Sequence, residues 1–498
     1  MIKIPQNISH VLWLSAILIM YGLLFAWTLT TPELGRYPLD DAYIVDHAVA
    51  GIAAGHETRF MGSTPWLGVT SPVFTELLAL LALLVTIPVG HAVLSIISAV
   101  SFVAGLYVYG RQKSLHPLFL YIFIATVIFS GSIFFQLLNG IETALAMSGV
   151  IWSFFVLEYA SESLFGYILI GALYFIRPEL GVLSAIFTIQ IFYKKSPGWH
   201  KKIAVISTTA LVLSLAQYQL SGQLLPNTVN AKVFFFAEGC RSAAFKSDFM
   251  FKAIHQFLGS LELVSFGFVL LLLARSRLAI AVFMCVFAFA YYLWFPGALY
   301  HNHFRYLSIF VPLCWIGWIA GLTSSSQSVR FLSFVLAIVA SLATLPDMVH
   351  TIQAYREETA TLFQDNYSMA EWVSRHVPPK AIILIHDAGL ISTIGTQPLI
   401  DLVGLKSPSA SVINKRILYK ECRRDPAALN DIALQGGASY LIVDRDWDRI
   451  FKLTSALQTD GWRVQRVDVE RGKSFYEVFH ITPPTGSMPP LVRRFQFE

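Results

Sequence analysis

Charge is scarce in this sequence: Asp, Glu, Lys and Arg make up 13% of its 498 residues, against 55% hydrophobic. Soluble domains carry about 25% charged residues, so an architecture of two or three soluble domains is excluded. Acid is thinnest in the first part of the chain, where residues 1–347 hold 14 of the 31 Asp and Glu. The four cysteines, Cys240, Cys285, Cys314 and Cys422, show no metal-ligand spacing and no disulfide framework. Pairing of Cys240 with Cys422 stays open at this level, while Cys285 and Cys314 fall in apolar runs, as small core thiols do. No internal repeat of the kind common in transporters is visible. The net charge of +5 comes from short basic loops, so it gives no nucleic-acid surface.

What is present in quantity is apolar sequence in runs of about twenty residues, the length a helix needs to cross hydrocarbon. The expected fold is a polytopic α-helical membrane domain over 1–347, followed by an extracytoplasmic α/β domain over 348–498. The first span, 11–29, is too long for a signal peptide and lacks a small-residue cleavage site, so it reads as a retained helix. A composition shift at 346–350 marks the boundary. Beyond it a helical stretch (355–376) alternates with β-branched runs at 381–385 and 440–443, which predicts a small sheet flanked by helices.

Basic clusters set the orientation. Arg111/Lys113, Lys194/Lys195/Lys201/Lys202, Arg275/Arg277 and Arg330 lie between apolar segments and are expected in the cytoplasm. With the N-terminus inside, the loop 31–71 lies outside. The run 72–90 must then be a juxtamembrane or re-entrant helix, because a crossing there would carry Arg111 and Lys113 outside. The charge pattern is satisfied by about eleven crossings, in a bacterial plasma membrane. It places the segments around 139–142, 177–179, 221–253 and 296–305, and all of 348–498, on the outer face.

That face collects the polar residues that need explaining. Asp40 and Asp41 are adjacent carboxylates at a membrane edge, where charge is costly and acids mark function first. With them lie His47, Glu142, Arg177, Glu179, Asn227, Lys232, His301, His303 and Arg305. Each has a bland reading: Lys232 snorkelling to headgroups, Arg177 and Glu179 as a local ion pair, His301-Asn302-His303 as a solvated loop, Asp46, His47, His56 and Glu57 as loop or helix surface. Together they supply what transfer of a sugar from a lipid phosphate requires. One carboxylate takes a proton from the acceptor hydroxyl, and cations stabilise the charge growing on the phosphate, for which Arg has the right fork.

Several short patches resemble the GT-C superfamily of polyprenyl-phosphate-dependent glycosyltransferases, nearest to its bacterial arabinosyltransferase and mannosyltransferase-like members. Asp40-Asp41-Ala42-Tyr43-Ile44 resembles their first-loop acidic motif, and Gly68-Val69-Thr70-Ser71-Pro72 the turn that ends that loop. Asn139-Gly140-Ile141-Glu142-Thr143 is similar to a Ser-Gly-x-Glu-Thr signature with Asn in place of Ser. Arg177-Pro178-Glu179, Leu225-Pro226-Asn227-Thr228 running on to Ala231-Lys232, Arg305-Tyr306, Asp387-Ala388-Gly389 and Asp401-Leu402-Val403-Gly404-Leu405 are the remaining patches. The resemblance implies an inverting transfer of a single sugar from a polyprenyl-phosphate donor to an extracytoplasmic glycan, lipid or protein, with Asp40 as base and Asp41 beside it. It also implies a donor- and substrate-binding set of His47, Glu142, Arg177, Glu179, Asn227, Lys232, His301, His303, Arg305 and Tyr306. A divalent metal, Mg²⁺ or Mn²⁺, is left open, with Asp40, Asp41, His301 and His303 as its available ligands. The other function classes are a transporter or flippase, and a glycan polymerase or ligase using a lipid-diphosphate donor.

Overall fold

The computed structural model describes residues 6–30, 36–195, 197–273, 278–422, 426–467, 469 and 475–486. Arg275 and Arg277 of the basic-loop argument, and the first residues of the loop 31–71, lie outside these. The chain forms two compact units. One comprises Met1–Arg36, Pro88–Leu215 and Ala243–Glu357; the other comprises Tyr37–Ile87, Ala216–Ser242 and Glu358–Glu498.

The first unit is helical. Among the described residues, Ser9–Leu29, Ile87–Arg111, Trp199–Ser221 and Gln327–Thr344 are long and apolar enough to cross a membrane. Two further helix pairs, Ala243–Ser260 with Glu262–Leu273 and Ile280–Trp294 with Pro296–Phe304, would each qualify as one span but bend by 115° and 117°. The protein is an integral membrane protein. The remaining apolar helices of this unit, such as Pro117–Phe129, Leu164–Ile176 and Leu180–Lys194, are shorter. Where helices Phe266–Leu273 and Val311–Leu322 cross, Gly267 and Gly317 face each other so closely that a Cβ on either would fall on the other helix. This is the small-residue contact that lets membrane helices approach. Two buried indoles of this interior are paired: Trp315 Nε1 donates to Leu106 O at 3.1 Å and Trp318 Nε1 to Val264 O at 2.8 Å.

The second unit is α/β, built on a five-stranded sheet in the order β2-β1-β3-β5-β4. Its strands are β1 (Ile383–Ile385), β2 (Leu399–Asp401), β3 (Tyr440–Asp444), β4 (Arg463–Arg466) and β5 (Tyr476–Thr482). β1 pairs in parallel with β2 and β3; β5 runs antiparallel to β3 and β4. The expected strands at 381–385 and 440–443 are β1 and β3, and the expected helix at 355–376 belongs to Asp347–His376. Because β1 is buried at every position, its Ile-Leu-Ile run shows no alternation.

Two segments from the membrane half of the sequence are built into this unit. Phe60 bridges in parallel to Leu399, and Ile44, Phe60 and Ala231 share a buried core with Ile383, Ile385, Leu399 and Val478. Helix Pro72–Ala82 also belongs here, N-capped by Ser71, whose Oγ accepts from Phe74 N at 3.2 Å. Its 11 residues span about 16 Å, well short of about 30 Å of hydrocarbon. The next helix starts at Ile87, inside the run 72–90. Cys240 and Cys422 form a disulfide across 182 residues of sequence, which no spacing in the sequence had signalled. Cys314 is buried as expected of a core thiol, whereas Cys285 is exposed on its helix.

Candidate active site

Asp40 and Asp41 open helix Asp40–Ala54, where acids favour the positive end of the helix dipole. The Asp40 carboxylate is gripped by the C-terminal segment. It accepts from Gly389 N at 2.7 Å, Leu390 N at 2.8 Å and Asn366 Nδ2 at 3.1 Å. A Cβ at Gly389 would land on Asp40, so glycine in the Asp387-Ala388-Gly389 patch is a steric requirement. Enclosure by protein raises the Asp40 pKa to about 7, and the carboxylate of Asp387 adds to the push. The two backbone N–H bonds oppose it, and Asp41 contributes a smaller rise.

Asp41 faces Lys232, with Nζ 3.8 Å from its carboxylate. This distance is a charge contact, too long for a hydrogen bond. Beside the pair runs a second polar chain: His386 Nε2 lies 3.1 Å from Asp387, which also accepts from the Tyr476 hydroxyl. Burial pushes the Asp387 carboxyl up, but the His386 imidazole and the Tyr476 hydrogen bond outweigh it, holding it below the usual carboxylate range. Burial lowers His386, and Asp387 more than reverses that, so the imidazole titrates above its ordinary value.

The other patches of this unit meet one another as well. Asn227 Nδ2 donates to the carbonyls of Gly404 and Leu405, both at 2.8 Å. Asp401 accepts from Val403 N and Lys406 N, both at 2.9 Å. Gly68 has φ +87° and leaves space that the Lys406 stem fills. Lys406 Nζ ends 3.1 Å from Glu57 and 3.2 Å from Pro65 O. Glu57 in turn accepts from the N–H groups of Thr58 and Arg59 at 2.9 and 3.0 Å and lies 3.3 Å from His47 Nε2. His47, expected to bind substrate, is thus enclosed within this network. Burial first, then Lys406, lowers its pKa to about 4 against the pull of Glu57. Arg59 sends its guanidinium into the loop after Leu390–Thr393, with 2.7 Å to Gln397 O and 2.6 Å to Ile394 O. Glu57 is a buried ion-pair partner rather than the surface residue its Gly-flanked loop implied.

In the membrane unit a separate cluster brings together Glu142, Arg177, Glu179, Arg305 and Tyr306. Arg177, fully buried, pairs with Glu179 at 2.6 Å and Glu142 at 3.7 Å, and its Nη1 donates to Arg305 O at 3.3 Å. Arg305 Nη2 donates to the Tyr306 hydroxyl at 3.2 Å, and both guanidinium groups lie within 5 Å of the Tyr306 ring centre. Asn139 closes its own turn: Oδ1 accepts from Ile141 N at 3.1 Å, and Gly140 takes φ +75°. Asn302, His303 and Phe304 have φ of 49°, 57° and 62°, a left-handed turn whose carbonyls are held by Ser132 and Gln136. His303 packs on Phe135 at 4.3 Å between ring centres. Among the described residues no three His, Cys, Asp or Glu side chains gather as a metal-holding group.

Sequence reading missed Arg59, Asn366, His386, Lys406 and Tyr476. Lys406 and His386 left a signal, each lying one step outside a patch, Asp401–Leu405 and Asp387–Gly389.

Residues 352–480 match a family described as a domain of unknown function (DUF8728). No curated protein matches the chain in sequence. In structure the chain is similar to ArnT from Cupriavidus metallidurans bound to undecaprenyl phosphate, at 9% identity and TM-score 0.55, covering 95% of this chain and 98% of that one. The apo state of the same protein gives 10% identity and TM-score 0.53 over the same shares. The arabinofuranosyltransferase AftD from Mycobacteria is similar at 15% identity and TM-score 0.45, over 94% of this chain and 41% of that one. With apolar helices, an α/β unit and a likeness that runs over nearly the whole of both chains, this chain shares the fold of ArnT.

Proposed function

We propose that the protein is an inverting glycosyltransferase that moves a single sugar from a polyprenyl-phosphate donor to an extracytoplasmic acceptor. The observation that carries this reading is the first-loop acid pair: Asp40 fixed by three donors and titrating near neutrality, Asp41 facing Lys232. A base held rigidly, with a pKa near the working pH, suits proton abstraction. ArnT, which shares the fold, was captured with undecaprenyl phosphate, the class of carrier this chemistry uses.

In this mechanism Asp40 takes the proton of the acceptor hydroxyl as its oxygen attacks the anomeric carbon from the face opposite the phosphate. The carbon–oxygen bond to phosphate breaks, its electron pair leaves on polyprenyl phosphate, and the configuration inverts. Phosphate is a weak base, so no general acid is needed. Lys232, beside Asp41, is assigned to the charge growing on it. The three donors on Asp40 favour one alternative, in which Asp40 is a clamp and Asp41 the base.

The test is mass analysis of lipid products after the protein, in nanodiscs, meets candidate polyprenyl-phosphate sugars, candidate polyprenyl-diphosphate oligosaccharides and acceptors. Release of free polyprenyl phosphate is the expected outcome. Polyprenyl diphosphate would mean a polymerase or ligase, and an unaltered lipid a transporter.

A further inference from the structure

In the membrane unit, a groove of about 690 Å³ opens beside the first turn of helix Gln327–Thr344. Its wall is apolar and mostly aromatic, made by Phe119, Leu322, Phe331 and Phe334, of which Phe331 and Phe334 are exposed. Its rim carries His116, Gln327, Ser328 and Arg330. Two contacts show that helices Pro117–Phe129 and Gln327–Thr344 run side by side in the same direction. Phe119 stacks on Phe334 at 5.6 Å between ring centres. About two turns further along each helix, Thr126 Oγ1 donates to Ser341 Oγ at 2.8 Å. Both helices therefore begin at the groove, and Phe334 sits about 6 Å deeper along the axis than Arg330. Among the described residues the Arg330 guanidinium has no ion pair and no hydrogen bond. Its own stretches of chain offer no counter-charge: residues 77–141 and 263–346, which build the groove, contain no Asp or Glu. Arg111, whose Nη1 donates to the carbonyl of Leu115 at the groove's edge, adds a second cation.

Charge and wall together select an occupant. A hydrocarbon chain alone would cover the phenylalanines and leave the cations without a counter-charge. A soluble anion would pair with Arg330 and leave the aromatic wall bare. A zwitterionic lipid would bring its own ammonium to a rim that already holds cations, where like charges repel. A lipid with a net negative headgroup meets both demands, and basic pockets between membrane helices take such headgroups. The guanidinium fork matches phosphate oxygens, and the starts of two parallel helices add positive partial charge.

We propose that this groove binds an anionic phospholipid of the surrounding bilayer, with its phosphate on Arg330 and the first part of its chains along Phe119, Phe331 and Phe334. None of these residues takes part in the proposed transfer chemistry, so failure of the site would leave the glycosyltransferase reading standing.

The test uses the full-length protein in phosphatidylcholine nanodiscs doped with a trace of one photoreactive lipid, either phosphatidylglycerol or phosphatidylcholine. Each probe carries a diazirine near the glycerol end of one chain. Labelled peptides are mapped by mass spectrometry, and labelling at Leu211 and Leu215, exposed in the middle of helix Trp199–Ser221, serves as the internal reference. Relative to that reference, phosphatidylglycerol should label the peptides holding Phe119 and Phe331 about 5-fold more strongly than phosphatidylcholine, the value of one cation beside an anionic lipid. Arg330→Gln should remove the preference, and Arg330→Lys should keep part of it. Equal labelling by the two lipids would overturn the selection by charge, and a preference that survives Arg330→Gln would overturn the assignment of Arg330. Loss of label on adding inorganic phosphate at constant ionic strength would make this a site for a free anion. Displacement by an isoprenyl phosphate but not by unlabelled phosphatidylglycerol would overturn the phospholipid class. The lipid comparison is made on the unmutated protein, so it stands even if a variant fails to fold.

Discussion

At the scale of single residues, the acid pair divides into two different carboxylates. Sequence shows Asp40 and Asp41 as equals; only the fold reveals that one takes three hydrogen bonds while the other faces an ammonium. The partners of Asp40 come from residues 366 and 389–390, more than three hundred positions away, and no local pattern announces them. Asp40→Asn should lower turnover by about two to four orders of magnitude while donor binding is retained. If Asp41→Asn is the dead variant and Asp40→Asn keeps its rate, the roles are exchanged. A base must be unprotonated to act, and the Asp40 pKa of about 7 means that the active fraction grows as pH rises. The rate should therefore climb about tenfold per pH unit below 7 and level off above it. Asp387→Asn removes the neighbouring negative charge that helps to raise that pKa, so it should move the rising limb to lower pH. Gly389→Ala should mimic loss of Asp40 by displacing it, with membrane insertion unchanged.

At the scale of elements, the patches that the sequence offered as separate signatures turn out to be partners. Gly68 makes room for Lys406, Asn227 holds Gly404 and Leu405, and Gly389 seats Asp40. In the membrane unit, the Glu142, Arg177 and Arg305 patches likewise converge. The order of elements in the C-terminal region was legible because β-branched runs and helical stretches carry their own periodicity. That Tyr37–Ile87 and Ala216–Ser242 fold with that region was not, since tertiary partners leave no local trace. The buried pair Lys406–Glu57 is the clearest consequence. Lys406→Met leaves Glu57 enclosed without its cation and should cost about 3–5 kcal/mol, read by chemical denaturation of the purified protein. Glu57→Gln should cost a similar amount. The double variant should lose clearly less than the sum, by about 1 kcal/mol or more, because the two side chains act as one pair. Strict additivity would mean that the pair is not an energetic unit.

At the scale of the whole molecule, the question is which side of the membrane the α/β unit occupies. Two independent lines bear on it. The basic clusters Arg111/Lys113, Lys194/Lys195/Lys201/Lys202 and Arg330 follow the rule that cytoplasmic loops are positive. With helix Pro72–Ala82 too short to cross, that rule predicts an α/β unit on the outer side. The Cys240–Cys422 disulfide belongs to the same unit, and such bonds persist where the environment is oxidising and are rare where thiols are kept reduced. A charge pattern and a redox pattern have unrelated causes, so their agreement weighs more than either alone. We expect a reporter that is active only in the cytoplasm to be silent when fused after Glu498. We also expect Cys240 and Cys422 to resist alkylation in intact cells until a reductant is added. In the same cells Cys422→Ser should expose Cys240 to a membrane-impermeant thiol reagent, which reaches only the outer face. An active reporter, together with Cys240 protected from that reagent in the Cys422→Ser strain, would put the acid pair on the cytoplasmic side. The outer-face mechanism would then fall, although the fold and the buried networks would stand.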